Sequence, residues 1–197
     1  GVGVIGNLLA QQALLAGCRV VASDPDASRR ERMLNSVAQD ADLVCVSPDE
    51  AEDAVRELSN GSGADAVYPC MSSKSPGIMA QAVRCARPGG RVVIVGVFDI
   101  NIPREDLFYR EAEITISRAG GPGRYDVNYE RGGVDYPIQY VRWTEGRNLE
   151  ESLRLIAAGR LKVEPLLGHQ YPLKDFEKAY AAVTGERSDL GHLLLWP

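Results

Sequence analysis

Three observations predict an α/β fold in which a doubly wound sheet of parallel strands carries helices on both faces. Short apolar runs alternate with helical patterns from residue 1 to about residue 117, the signature of successive strand–helix–strand units. One run, Arg91-Val92-Val93-Ile94-Val95-Gly96-Val97, is apolar on both faces, as a central parallel strand requires. Finally, Gly1-Val2-Gly3-Val4-Ile5-Gly6 opens directly into a helical pattern that Gly17 stops. A glycine turn leading into a helix lets backbone approach a phosphate, which the helix N–H groups then hold.

In chain order, the helix Asn7–Ala16 is followed by a strand over Arg19–Ser23 and by Asp24. A turn and a second helix span Pro25 to Leu34, with Asp26 or Ser28 as the cap. A strand over Asp42–Val46, a helix from Asp49 to Leu58 and a turn at Asn60–Gly63 come next. Ala64–Cys70 reads as a strand and Pro76–Ala86 as a helix, which Arg87-Pro88-Gly89-Gly90 breaks before the central run. Ile114–Ser117 is an edge strand, apolar and without proline. After Arg118 the pattern changes. A glycine-rich connector at 119–126 leads into Tyr129–Tyr140, which has no periodicity, and about twenty irregular residues of this kind mark a functional or interface loop. Helices at Asn148–Ala158 and Leu173–Val183 and a strand over Leu193–Trp196, without a visible partner, close the chain.

These patterns divide the chain into a nucleotide-binding part, residues 1–119, and a second part, residues 120–197. The glycine turn should follow a buried parallel strand, yet Gly1 is already its first glycine. The expectation is therefore a portion of a longer polypeptide, lacking the first strand and inactive alone.

Composition narrows the partners. Apolar residues at 45% and charged residues at 25% suit a soluble globular protein, and the net charge of −5 with no basic run argues against nucleic acid and anionic membranes. No apolar stretch approaches the ~20 residues of a membrane span. Cys18, Cys45, Cys70 and Cys85 are scattered, with no Cys-x-x-Cys pair and with His169 and His192 far off in sequence. That spacing fits neither a zinc site nor a disulfide framework, and it points to reduced thiols in a cytoplasmic protein.

The candidate site begins at the glycine turn. Asp24, eighteen residues after Gly6 and at the tip of the following strand, is placed to accept from the ribose hydroxyls of an adenosine. Its charge would repel a 2′-phosphate, which favours NAD over NADP, with Arg29 near the ribose edge. An ordinary strand–turn–helix with a surface aspartate is the structural alternative. No catalytic acid, nucleophile or metal ligand is identifiable.

The order of these motifs resembles the medium-chain dehydrogenase/reductase family, zinc-type alcohol dehydrogenase-like, over essentially all 197 residues. The resemblance rests on G-V-G-V-I-G, on Asp24, on R-P-G-G before R-V-V-I-V-G-V, and on the late helix P-L-K-D-F-E-K-A-Y. The segment from G-P-G-R-Y-D to R-W-T-E-G-R-N-L looks like a subgroup often fused to a glucose–fructose-oxidoreductase-like module. The family implies a Rossmann-type doubly wound parallel sheet, followed by a C-terminal helical and strand segment that returns to a largely absent catalytic domain. It implies NAD as cofactor, a small alcohol or carbonyl substrate, and a homodimer formed through the edge strand near 114–117. Carried over residue by residue, Gly1, Gly3 and Gly6 form the turn, and the N–H groups of Val4 and Ile5 meet the pyrophosphate. Asp24 and Arg29 take the ribose, while Cys70 and Met71 flank the path toward the nicotinamide. Val95, Gly96 and Val97 then line that ring. For each apolar member, sheet core remains an equal reading.

A methyltransferase binding S-adenosylmethionine, which also uses a glycine turn and an acidic residue, is the rival enzyme class. A non-catalytic nucleotide-sensing module is the third. A short-chain dehydrogenase is excluded, because none of the eight tyrosines has a lysine four positions later.

Overall fold

The computed structural model describes residues 1–184 and 191–195. Its sheets are parallel throughout, as the alternating pattern predicts. Helix α1 (Val4–Leu15) follows the glycine turn and leads to strand β1 (Val20–Ser23). Helix α2 (Ala27–Asn35) is capped by Asp26, whose carboxylate accepts the Ser28 N–H at 2.8 Å. Strand β2 (Leu43–Val46) lies parallel to β1, in register from Val20↔Leu43 to Ser23↔Val46.

A short 3₁₀ turn at Pro48–Glu50 begins helix α3 (Ala51–Leu58). Glu50 reaches back to Ser47 and accepts from both its N–H and its hydroxyl, so two donors at the helix start are satisfied by one carboxylate. Strand β3 (Ala64–Val67), helix α4 (Ile78–Cys85), strand β4 (Ala86–Ile94), helix α5 (Arg104–Arg110) and strand β5 (Glu113–Ile116) build the second sheet, in the order β3-β4-β5. Helix α4 packs against both α3 and α5, and α3 lies against β1 and β2. Beyond them lie the short α6 (Val127–Glu130), α7 (Glu145–Ala157), strand β6 (Leu167–Pro172), α8 (Phe176–Thr184) and strand β7 (Gly191–Leu195).

Two apolar clusters anchor this frame. One gathers Met79, Ala82, Val83, Ala86, Val92 and Ile94 between α4 and β4. The other gathers Val2, Ala10, Ala22 and Met33 around α1, β1 and α2. Met33, Met79, Val83 and Val92 are fully buried, and each such side chain stabilises the fold by about 1.5–3 kcal/mol.

The structure differs from the sequence reading at several places. Strand β3 ends at Val67, before Pro69, which has no N–H for a ladder. The Arg87-Pro88-Gly89-Gly90 break lies within β4, as an irregularity that shifts its register against β3. Helix α7 starts at Glu145, three residues before the expected Asn148, with Thr144 at the N-cap position, where its carbonyl accepts the Asn148 N–H at 2.9 Å. Helix α5 and strand β6 carry no clear periodicity in the sequence. The closing strand also has a partner, since β7 pairs with β6 from Leu167↔Gly191 to Pro172↔Leu195. Trp196, expected in that strand, lies outside the described residues.

Candidate functional site

The carboxyl ends of β1, β3 and β4 converge on the N-terminus of α1. Gly3 is the N-cap of that helix and brings no side chain to it, and no acidic residue occupies the first turn. The first helical hydrogen bond runs from the Asn7 N–H to the Gly3 carbonyl at 2.9 Å. The N–H groups of Val4, Ile5 and Gly6 therefore precede the helical ladder and point, with the positive end of the helix dipole, out of the helix. A Cβ placed on Gly3 would meet nothing within 4 Å, so no packing contact inside the chain calls for a glycine there. That open approach to three N–H donors fits an anionic group.

Gly6 is a glycine for a different reason. A Cβ there would lie 1.9 Å from the Gly1 carbonyl oxygen and 3.4 Å from the Cys70 Cβ. Gly96 is similar, because its Cβ would lie 1.8 Å from the Met71 carbonyl oxygen. These two close approaches pull the glycine turn, the end of β3 and the end of β4 together.

The segment after β4 is fastened by the backbone after β3. Val95 and Gly96 both donate to the Pro69 carbonyl, at 3.1 and 2.9 Å, and Val97 donates to Met71 at 3.1 Å. Val97 is 76% exposed and Ile5 is 61% exposed, so both offer apolar surface at this edge. Cys70 is half-buried, and burial pushes its thiol above the ordinary value.

Asp24 has a structural duty that spacing alone does not disclose. It is 1% exposed. Its Oδ2 accepts the Val2 N–H at 2.9 Å and its Oδ1 accepts the Asp26 N–H at 2.9 Å. Arg29 Nη1 stands 3.6 Å from Oδ2, and Arg30 Nη1 donates to the Asp24 and Pro25 carbonyls at 2.6 and 3.1 Å. The carboxylate thus clamps the glycine turn to the end of β1, with lone pairs remaining for a further donor.

The structure therefore brings Gly1, Gly6, Cys70, Met71 and Gly96 into one packed group, with Val95 and Val97 hydrogen-bonded to the backbone beside it. Gly3, Val4, Ile5, Asp24 and Arg29 line the turn itself. Pro69, whose carbonyl receives two N–H groups, is a member that sequence reasoning missed.

The sequence pattern of the zinc-binding dehydrogenase family matches residues 4–131. This chain belongs to that family. The chain is 28% identical over 189 residues to the 2-dehydro-3-deoxy-L-galactonate 5-dehydrogenase of Pseudoalteromonas atlantica, covering 94% of this chain and 46% of that protein. It is 26% identical over 202 residues to the L-threonine 3-dehydrogenase of Bacillus licheniformis, covering 100% of this chain and 50% of that protein. Among solved structures, the 2R,3R-butanediol dehydrogenase of Bacillus subtilis superposes with a TM-score of 0.67 at 20% identity, over 100% of this chain and 49% of its own. That likeness shows the dehydrogenase family's Rossmann-type fold. The chain spans about half the length of the curated relatives it matches. Membership of a dehydrogenase family sets aside the methyltransferase alternative.

The family's description names zinc. Among the described residues, no three His, Cys, Asp or Glu side chains come together as a metal site. The described residues do not fit that ion. No helix among them is long and apolar enough to cross a membrane.

Proposed function

We propose that the chain is the NAD(H)-binding portion of an oxidoreductase that interconverts a small alcohol and its carbonyl counterpart. The observation that carries this reading is the glycine turn at α1, with three N–H groups ahead of the helical ladder and an empty approach over Gly3. In this reading the N–H groups of Val4 and Ile5 hold the pyrophosphate, and Asp24 accepts from the ribose while keeping its grip on Val2. Val95, Gly96 and Val97 form a wall for the nicotinamide, and their backbone is fixed by Pro69 and Met71. When bound, the nicotinamide supplies hydride exchange at its C4 carbon.

The preference for NAD over NADP follows from Asp24 and from its arginines. Arg29 and Arg30 are turned onto Asp24 and its neighbouring carbonyls, and neither is aimed outward at a phosphate. Fluorescence titration with NADH, NADPH and S-adenosylmethionine tests this, with NADH expected to bind most tightly. Tighter binding of NADPH would overturn the assignment of Asp24. Failure of all three to bind would overturn the nucleotide reading of the glycine turn.

Two further parts of the proposal rest on separate observations. The outer edge of β5 is unpaired among the described residues, and Ile116 on it is 67% exposed, which supports a homodimer across that strand. Four unpaired cysteines support a reducing, cytoplasmic setting, and the acidic net charge supports small molecules rather than nucleic acid as partners.

A further inference from the structure

We propose that Gln11 is a positioning residue, which fastens the returning chain at Lys162 onto the helix carrying the glycine turn and, through Asn7, holds that turn in place. Gln11 is 3% exposed, one turn beyond Asn7 on α1. Its Nε2 donates to the Lys162 carbonyl at 2.9 Å, and its Oε1 accepts the Lys162 N–H at 2.7 Å. The side-chain amide thus pairs with both backbone groups of one residue, as a neighbouring strand would. The same Nε2 donates to Asn7 Oδ1 at 2.8 Å, and Asn7 Nδ2 donates to Ser36 Oγ at 3.3 Å. Ser36 in turn donates to the Arg32 carbonyl at 2.7 Å. One buried polar chain therefore joins α1, the end of α2 and the segment before β6. Asn7 is its hinge, because the Asn7 N–H also makes the first helical bond to Gly3.

Packing alone does not set this register. Leu161 and Leu166 are buried beside the joint, yet a cleft of about 650 Å³ opens between Leu14, Val37 and Pro165. Hydrogen bonds with fixed donor and acceptor positions hold one alignment where a partly open apolar seam would allow several.

The proposal rests on the nucleotide reading only for the purpose of the turn, and its test needs no nucleotide. Amide hydrogen exchange is measured on the full chain with Gln11→Glu and Gln11→Leu. A protonated glutamic acid keeps one donor and one acceptor at the same reach, whereas the carboxylate has only acceptors and faces the Lys162 and Asn7 oxygens. Gln11→Glu at pH 8 should raise exchange, relative to the unmodified protein at the same pH, by roughly tenfold in residues 160–166 and at Asn7, whose N–H makes the first hydrogen bond of α1. At pH 5 that increase should shrink, while Gln11→Leu should show it at both pH values. Faster exchange confined to 160–166 would reduce the contact to a local staple and overturn the proposal, as would a Gln11→Glu protein indifferent to pH. Failure of the unmodified protein to bind NADH would instead count against the proposed function.

Discussion

The Asp24 carboxylate accepts the backbone N–H of Val2 at 2.9 Å, joining the tip of β1 to the middle of the glycine turn across twenty-two positions. The other carboxylate oxygen accepts from Asp26 at the same distance, just ahead of α2. One buried acidic residue thus shapes the turn and sets the chain's exit from β1. In the proposed function it also meets the ribose.

Asp24→Ala should therefore lower both stability and nucleotide affinity. Removing the acceptor strands two N–H donors in a site that is 1% exposed, at a cost of about 1–3 kcal/mol for buried unsatisfied groups. Urea unfolding monitored by circular dichroism reads the first effect and NADH titration the second. An unchanged urea midpoint combined with lost NADH binding would make Asp24 a ligand contact and remove its role as a clamp.

Gly3 and Gly6 should separate packing from binding. At Gly6 an added methyl meets the Gly1 carbonyl oxygen at 1.9 Å, so Gly6→Ala should destabilise by at least the ~1–3 kcal/mol of an overpacked core. Gly3→Ala adds a methyl to open space at a φ of −62°, which alanine adopts freely. Its effect on stability should stay within about 1 kcal/mol, the scale of N-cap preference. NADH affinity should nonetheless fall, because the methyl fills the approach to the N–H groups. Equal loss of stability in the two variants would show that both glycines serve packing.

Much of this site is legible in the sequence because its signals are local. A glycine spacing, a helix start and an aspartate after a strand are written within 24 residues. What stayed hidden depends on partners distant in sequence. Nothing in the sequence signals that Asp24 also accepts the Val2 N–H, or that Gly96 lies against the Met71 carbonyl. Strand β6 was invisible for another reason. Leu167-Gly168-His169-Gln170-Tyr171-Pro172 lacks strict alternation and becomes a strand by pairing with β7. Polar Asn7 and Gln11, one helical turn apart in an apolar helix, were the visible trace of the buried hydrogen-bonded chain.

Thiol chemistry should rank three of the four cysteines by burial. Cys18 is exposed and should react first with a maleimide. Burial, with Glu52 adding to it, pushes the Cys85 thiol up to about 11, so Cys85 should resist until the protein unfolds. Cys70, half-buried beside the glycine turn, should react slowly and more slowly still with NADH present. Peptide mapping after timed labelling checks the order, and rapid native labelling of Cys85 would contradict the packing of α4 against β4.

The loop before α7 should be held best between mildly acidic and mildly alkaline pH. The Tyr136 hydroxyl, and then the Asn128 N–H, hold the Asp126 carboxyl below its ordinary 3.8. The same hydrogen bond holds the Tyr136 phenol above its ordinary 10.0. A depressed acid contributes fully above its unfolded value and loses that contribution as pH falls through the folded one. A raised phenol contributes fully below its unfolded value and loses it as pH rises through the folded one. Hydrogen exchange over residues 126–136 should therefore be slowest from about pH 5 to 9 after correction for intrinsic rates, and Tyr136→Phe should flatten both limbs. A profile unchanged in Tyr136→Phe would remove this pair as the cause.

The edge of the second sheet offers the last prediction. Strand β5 pairs with β4 on one side, from Arg91↔Glu113 to Ile94↔Ile116, and its other side is unpaired among the described residues. Such an edge presents a row of N–H and C=O groups, and a two-fold axis beside it would satisfy them by antiparallel pairing with a second copy. The apolar surface nearby supports this, with Ile116 67% exposed and Phe108 and Tyr109 on α5 at 62% and 73%. Ile116→Lys places a charge on that surface without disturbing the core, since the side chain is already mostly out of the fold. Sedimentation equilibrium should give a dimer for the unmodified protein and a monomer for Ile116→Lys, with matching circular dichroism spectra. A dimer that survives the lysine would place the interface elsewhere, and a monomeric unmodified protein at high concentration would end the proposal. The distinction bears on the site, because β5 runs beside β4 toward the carboxyl edge where Val95–Val97 lie, so pairing across β5 would stiffen the wall proposed for the nicotinamide.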